Sequence, residues 1–189
     1  MSHGVQFHQY ADDTQLHLAM SSNNTPDGLS ALAACTADVR LWYLHNGMQL
    51  NTDKSEALII GTANQLSTAN SAITSVCVAD VELPVANEIK VLGVVLDRSL
   101  AFDKHVLVVI RSCNFHAQAI RHICHLLSTD LVHTLACSLI LARLDYCNSV
   151  RYGMPVSCIQ KLQRLQNNAD RIVLQASRRS HAKPLMRQN

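Results

Sequence analysis

The sequence predicts an α+β chain: a strand-rich part over residues 1–103, then an all-helical part over residues 104–189. Three observations predict it. Apolar and polar residues alternate from Val5 to Met20, and short strand-like runs recur up to Leu96. Beyond Asp97 the apolar residues recur at three and four positions instead. The charge divides at the same place. Residues 1–103 carry 4 Lys+Arg against 11 Asp+Glu, a balance of −7, and residues 104–189 carry 12 against 3, a balance of +9. That asymmetry suits cations in the first part and an anionic polymer in the second.

The elements follow in order. Val5 and Phe7 point one way and Gln6, His8 and Tyr10 the other; Leu16, Leu18 and Met20 alternate with Gln15 and His17. Two half-buried strands joined by a tight acidic turn, Ala11-Asp12-Asp13, are expected. Thr25-Pro26-Asp27 opens a helix with Thr25 as N-cap, and Asn46-Gly47 ends it. Leu29, Leu32, Val39, Trp42 and Tyr43 fit its buried face. Ala57–Ile60 reads as a short buried strand, and the Ser/Thr/Ala/Asn-rich run Gln65–Ser75 as a loop. Val76–Val78, Val81–Val85 and Ile89–Leu96 read as three further strands. Val106, Val109, Ile110, Cys113, Ala117, Ile120, Cys124 and Leu127 mark a first amphipathic helix. Leu131–Leu144 gives a second, and Ile159, Leu162, Leu165, Ala169, Ile172 and Val173 a third.

Composition narrows the class. A hydrophobic fraction of 48% with 16% charged residues is that of a chain with a core, not of a disordered one. The longest charge-free, largely apolar stretch, Leu131–Ala142, falls short of a membrane span. Met1–Tyr10 lacks the pattern of a secretory leader. Seven cysteines without a Cys-x-x-Cys pair argue against a secreted disulfide scaffold, so an intracellular protein is expected. Six widely separated glycines leave no phosphate-binding loop. The group Cys113, His116, His122, Cys124 and His125 reads as buried thiols on a helix stripe rather than as a zinc site.

The sharpest motif is Tyr10-Ala11-Asp12-Asp13. Adjacent carboxylates in a turn are comfortable when solvated or when they bind a cation. Placed between two alternating strands, this tetrapeptide resembles the catalytic hairpin of reverse transcriptases. The segments that follow resemble the LINE-type, non-LTR retrotransposon group of that family, with jockey-like and chicken-repeat-like elements as the nearest picture. Trp42–Glu56 is similar to the helix end, Asn-Gly turn and lysine segment after the hairpin. Lys90-Val91-Leu92-Gly93-Val94-Val95-Leu96-Asp97 resembles the strand that grips the primer. Arg143–Ser149 and Leu162–Ala169 resemble stretches of the thumb and connecting region.

The resemblance implies a fold and a chemistry. Residues 1–103 would be the C-terminal part of a polymerase palm, and 104–189 a helical thumb-like region. The family is an RNA-directed DNA polymerase: a primer 3′-hydroxyl attacks a deoxynucleoside triphosphate, with two Mg²⁺ ions, an RNA template and a DNA primer, and no membrane. Asp12 and Asp13 would be the metal-binding carboxylates, with Asp12 ligating both ions. Lys54 would face the nucleotide's phosphates as a cation or acid. Lys90 would stand at the primer-gripping strand, and Lys161, Arg164, Arg171, Arg178 and Arg179 would contact phosphates. The family's third metal-binding aspartate and its fingers precede the hairpin, and only nine residues stand before Tyr10 in this sequence. Two-metal catalysis by this chain alone is therefore not expected. The alternative is a non-catalytic nucleic-acid-binding remnant of a transposon, in which only the basic helices act.

Overall fold

The computed structural model describes residues 3–21, 23–146, 148 and 154–176, and within them every side chain but those of 69–72. The chain is α+β, as the change of period predicts. It divides into two compact units, Met1–Ile89 with Asp97–Ser99 and Lys90–Leu96 with Leu100–Asn189.

In the first unit, β1 (Gln6–Tyr10) and β2 (Asp13–His17) form an antiparallel hairpin with Gln6 opposite His17 and Tyr10 opposite Asp13. Its loop is two residues, Ala11 and Asp12, so Asp13 is already a strand residue. Ala11 has φ +53°, the positive value that the first loop residue of the primed hairpin turns requires. All five residues of β1 are exposed, against the half-buried strand expected.

The helix α1 spans Thr25–His45. Its N-cap is Asn24 rather than Thr25: the Asn24 Oδ1 accepts from the Ser21 backbone N–H at 2.7 Å, while the Thr25 hydroxyl turns back to the Ser21 carbonyl. Gly47, at φ +69°, closes the other end as expected. Cys35 and Thr36 are the buried residues of α1, and the Thr36 hydroxyl accepts from the Ala79 backbone N–H at 3.1 Å. Trp42 shares the Cys35 face seven residues on, yet is 53% exposed, so the cover over that face stops short of the helix end.

A second correction falls on Gln65–Ser75. Instead of a loop the chain forms α2 (Ala63–Ala72). Gln65 Oε1 accepts from both the backbone N–H and the hydroxyl of Thr62 at 2.8 Å, half of a capping box that opens the helix. A three-stranded sheet of order β3-β5-β4 completes the unit. In it β4 (Ser75–Val78) and β5 (Val81–Ala86) pair antiparallel, and the short β3 (Ala57–Leu58) runs parallel to β5. Val76, Ala79 and Leu83 are buried there.

The run Ile89–Leu96 is a hairpin rather than one strand. β6 (Glu88–Val91) pairs with β7 (Val94–Asp97) across Leu92 and Gly93, whose φ values are +46° and +84°. Two successive left-handed residues are what a type I′ turn needs, and Gly93 supplies one without strain.

The helices of the second unit follow the predicted stripes. They are α3 (Asp103–Ile123), α4 (Thr129–Ala136), a π-helical segment Cys137–Leu141, α5 (Ala142–Asp145) and α6 (Val156–Val173). The helix expected over Leu131–Leu144 thus contains a π-bulge; there the Ser138 hydroxyl donates to the Thr134 and Leu135 carbonyls. One core joins Cys113, Ala117 and Ile120 of α3 to Val132, Ile140 and Leu144, and to Leu165, Ala169 and Ile172 of α6. A second joins Val94, Phe102, Val106, Met154 and Cys158. Ile159, expected on the buried stripe of α6, is 51% exposed, and its neighbour Cys158 is buried instead.

Candidate active site and basic helices

Residues paired across an antiparallel register share a face, so the hairpin has two unlike sides. One carries Tyr10 and Asp13, His8 and Gln15, Gln6 and His17; the other carries Phe7 and Leu16, Gln9 and Thr14. Asp13 therefore stands on the wholly polar side. Asp12 sits in the loop itself, beside Ala11, whose carbonyl accepts from the Gln9 side chain at 3.1 Å. Both carboxylates are exposed, and neither forms an ion pair among the described residues. Of the pair only Asp13 belongs to a strand.

A two-ion polymerase site needs more oxygen ligands than this pair offers. Among the described residues no group of three or more His, Cys, Asp or Glu side chains is gathered to hold a metal. The hairpin itself contributes two carboxylates, Asp12 and Asp13. Lys54 ends a short 3₁₀ turn, Thr52–Lys54, and is exposed. No hydrogen bond or ion pair joins it to Asp12 or Asp13.

Lys90 is exposed on β6. Around it residues 90–96 are tied to helices of the second unit: Tyr146 donates its hydroxyl to the Leu92 carbonyl at 2.6 Å, and the Val95 N–H donates to His105 Nδ1 at 3.4 Å.

The basic residues of α6 differ in what they can offer an anion. Lys161 lies 3.8 Å from Asp103 Oδ1, and Arg171 donates to the Asn167 carbonyl at 3.3 Å; both are half-buried. Arg164 is exposed. Arg178 and Arg179 lie outside the described residues. No protein-family model, no curated protein and no solved structure matches the chain.

One surface is not among the expectations drawn from sequence. Lys104, Val108, Arg111, Phe115, Gln118 and His122 recur at alternating steps of four and three along α3, and all are exposed, Phe115 at 69%. Its signal is present in the sequence as the complement of the apolar stripe. Cations interleaved with an aromatic ring form a surface suited to phosphates and to an unstacked base. No described helix is long and apolar enough to cross a membrane.

Proposed function

We propose that this chain is the C-terminal palm and thumb-like portion of a LINE-type RNA-directed DNA polymerase. The observation that carries the reading is the Tyr10–Asp13 hairpin, which offers two adjacent carboxylates to solvent at a two-residue turn. The order of the similar segments along the chain supports it, as does the acidic-to-basic division. In the intact enzyme Asp12 and Asp13 would bind Mg²⁺ together with carboxylates from outside the pair. Lys54 would meet the nucleotide's phosphates, Lys90 the primer end, and Lys161, Arg164, Arg171, Arg178 and Arg179 the template–primer backbone.

The test begins with the transcript upstream of the Met1 codon. The reading expects an open frame there encoding an alternating strand that bears an aspartate. It further expects the longer product to extend a DNA primer on RNA with Mg²⁺, and to lose that activity in Asp12→Ala.

A second reading, a nucleic-acid-binding module without catalysis, is favoured by the exposed face of α3 that carries Lys104, Arg111 and Phe115. A stop codon directly upstream, with salt-sensitive binding that Asp12→Ala and Asp13→Ala leave unchanged, would select it.

A further inference from the structure

The helix α4 and the π-helical segment after it bring a thiol and an imidazole together on one face. Cys137 Sγ lies 3.5 Å from His133 Nε2 and 3.9 Å from Nδ1. The spacing of four residues sets one side chain above the other, and Asp130 stands on the same face one turn earlier. His133 and Asp130 are exposed and Cys137 half-buried, so a small molecule can reach the sulfur. A nucleophile with a base in reach, on a helix locally widened by a π-bulge, is the arrangement that an activated thiol requires.

The other described cysteines lack it. Cys35, Cys113 and Cys158 are buried. The Cys124 thiol donates to the Arg121 carbonyl at 3.3 Å, and Cys77 stands in β4 opposite Glu82.

We propose that Cys137 and His133 form a thiol-modification dyad that takes a small aliphatic disulfide in exchange. His133 accepts the Sγ proton as the sulfur attacks one sulfur of the disulfide. A new S–S bond joins Cys137 to that half. The old S–S bond breaks, and the other half leaves as a thiolate that recovers the proton from the imidazolium. The disulfide is the oxidant, so electrons balance, and a free thiol reverses the step. This inference does not depend on the polymerase reading.

The experiment exposes the full-length native chain to oxidised glutathione and follows each cysteine by peptide mass spectrometry. Fragmentation is needed to separate Cys124 from Cys137, which share the tryptic peptide between Arg121 and Arg143. The expected result is that Cys137 is modified faster than Cys77 and Cys124. His133→Gln is expected to slow Cys137 by about tenfold or more, as loss of a general base does, with Cys77 unchanged. Cys113 and Cys158, buried in the same unit as His133, staying unmodified reports that the variant is folded. The proposal is overturned if wild-type Cys137 reacts no faster than Cys77, or if His133→Gln leaves its rate unchanged.

Discussion

The Tyr146 hydroxyl donates to the carbonyl of Leu92 at 2.6 Å, joining the end of α5 to the turn of the β6–β7 hairpin 54 residues earlier. Both residues lie in the second unit. Leu92 is held at φ +46°, a conformation that costs a non-glycine residue about 1–2 kcal/mol. The phenol satisfies the carbonyl of that strained residue.

Tyr146→Phe is expected to remove this hydrogen bond at a cost of about 1 kcal/mol, or about 2–4 °C in Tm for a chain of this size. Gly93→Ala is expected to cost about 1–2 kcal/mol through its left-handed backbone. Steric clash is not the cause, since an added Cβ would lie 3.6 Å from the Tyr146 ring. Thermal melts of the two variants check both values.

Burial, then the Asp103 carboxylate that accepts its S–H at 3.0 Å, push the Cys158 thiol up from its ordinary value of 9.0; Lys161 opposes them weakly. Above that pH the unfolded thiol loses its proton while the folded one keeps it. The native state then binds more protons, and stability falls as pH rises. Melts between pH 8 and about pH 11 are expected to show a shallower alkaline decline in Cys158→Ala than in the wild type.

Asp170 has the same sign at acid pH. Burial raises its carboxyl above the ordinary 3.8, against a smaller pull from Arg171, and Oδ2 has no hydrogen-bond partner. The charged form is disfavoured in the folded state, so this group lowers stability above its folded pKa. Relief comes as pH falls toward 3.8. Asp170→Asn is expected to raise Tm near neutral pH, with the gain shrinking as the melt is repeated at more acid pH.

The aspartates of the first hairpin are expected to behave oppositely to the basic residues. Asp12→Ala with Asp13→Ala should change stability by no more than about 0.5 kcal/mol, because both side chains are exposed and unpaired. The same pair of changes should leave binding of an RNA–DNA hybrid unweakened. Arg111→Ala and Arg164→Ala should each lower the slope of log affinity against log salt by about 1. Fluorescence anisotropy at several salt concentrations separates the two cases.

Much of the fold was legible where periodicity speaks. The stripe Cys113, Ala117, Ile120 and its partners Leu165, Ala169 and Ile172 meet in one core, because a period of 3.6 states both the helix and its buried side. Legibility failed where a few polar atoms decide. Thr62 and Gln65 start α2 by side-chain hydrogen bonds, in a run whose composition alone reads as loop. Leu92-Gly93 turns a strand-like run back on itself through two backbone angles, and neighbouring valines hide that signal. In the candidate site, the turn at Asp12 was readable from alternation. The exposed α3 face around Phe115 was readable only as the complement of the apolar stripe, which states the free side of a helix and not what that side meets.

The exposure of every β1 residue bears on timing as well as on shape. A two-stranded ribbon on its own is marginal in water, and of the ten strand residues here only Gln15 and Leu16 are half-buried. Catalysis by fixed charges depends on groups that do not rearrange while the reaction proceeds. Carboxylates borne on such a ribbon are held no more firmly than the ribbon itself. Whatever stiffens β1 and β2 therefore sets the fraction of time during which Asp12 and Asp13 stand ready together.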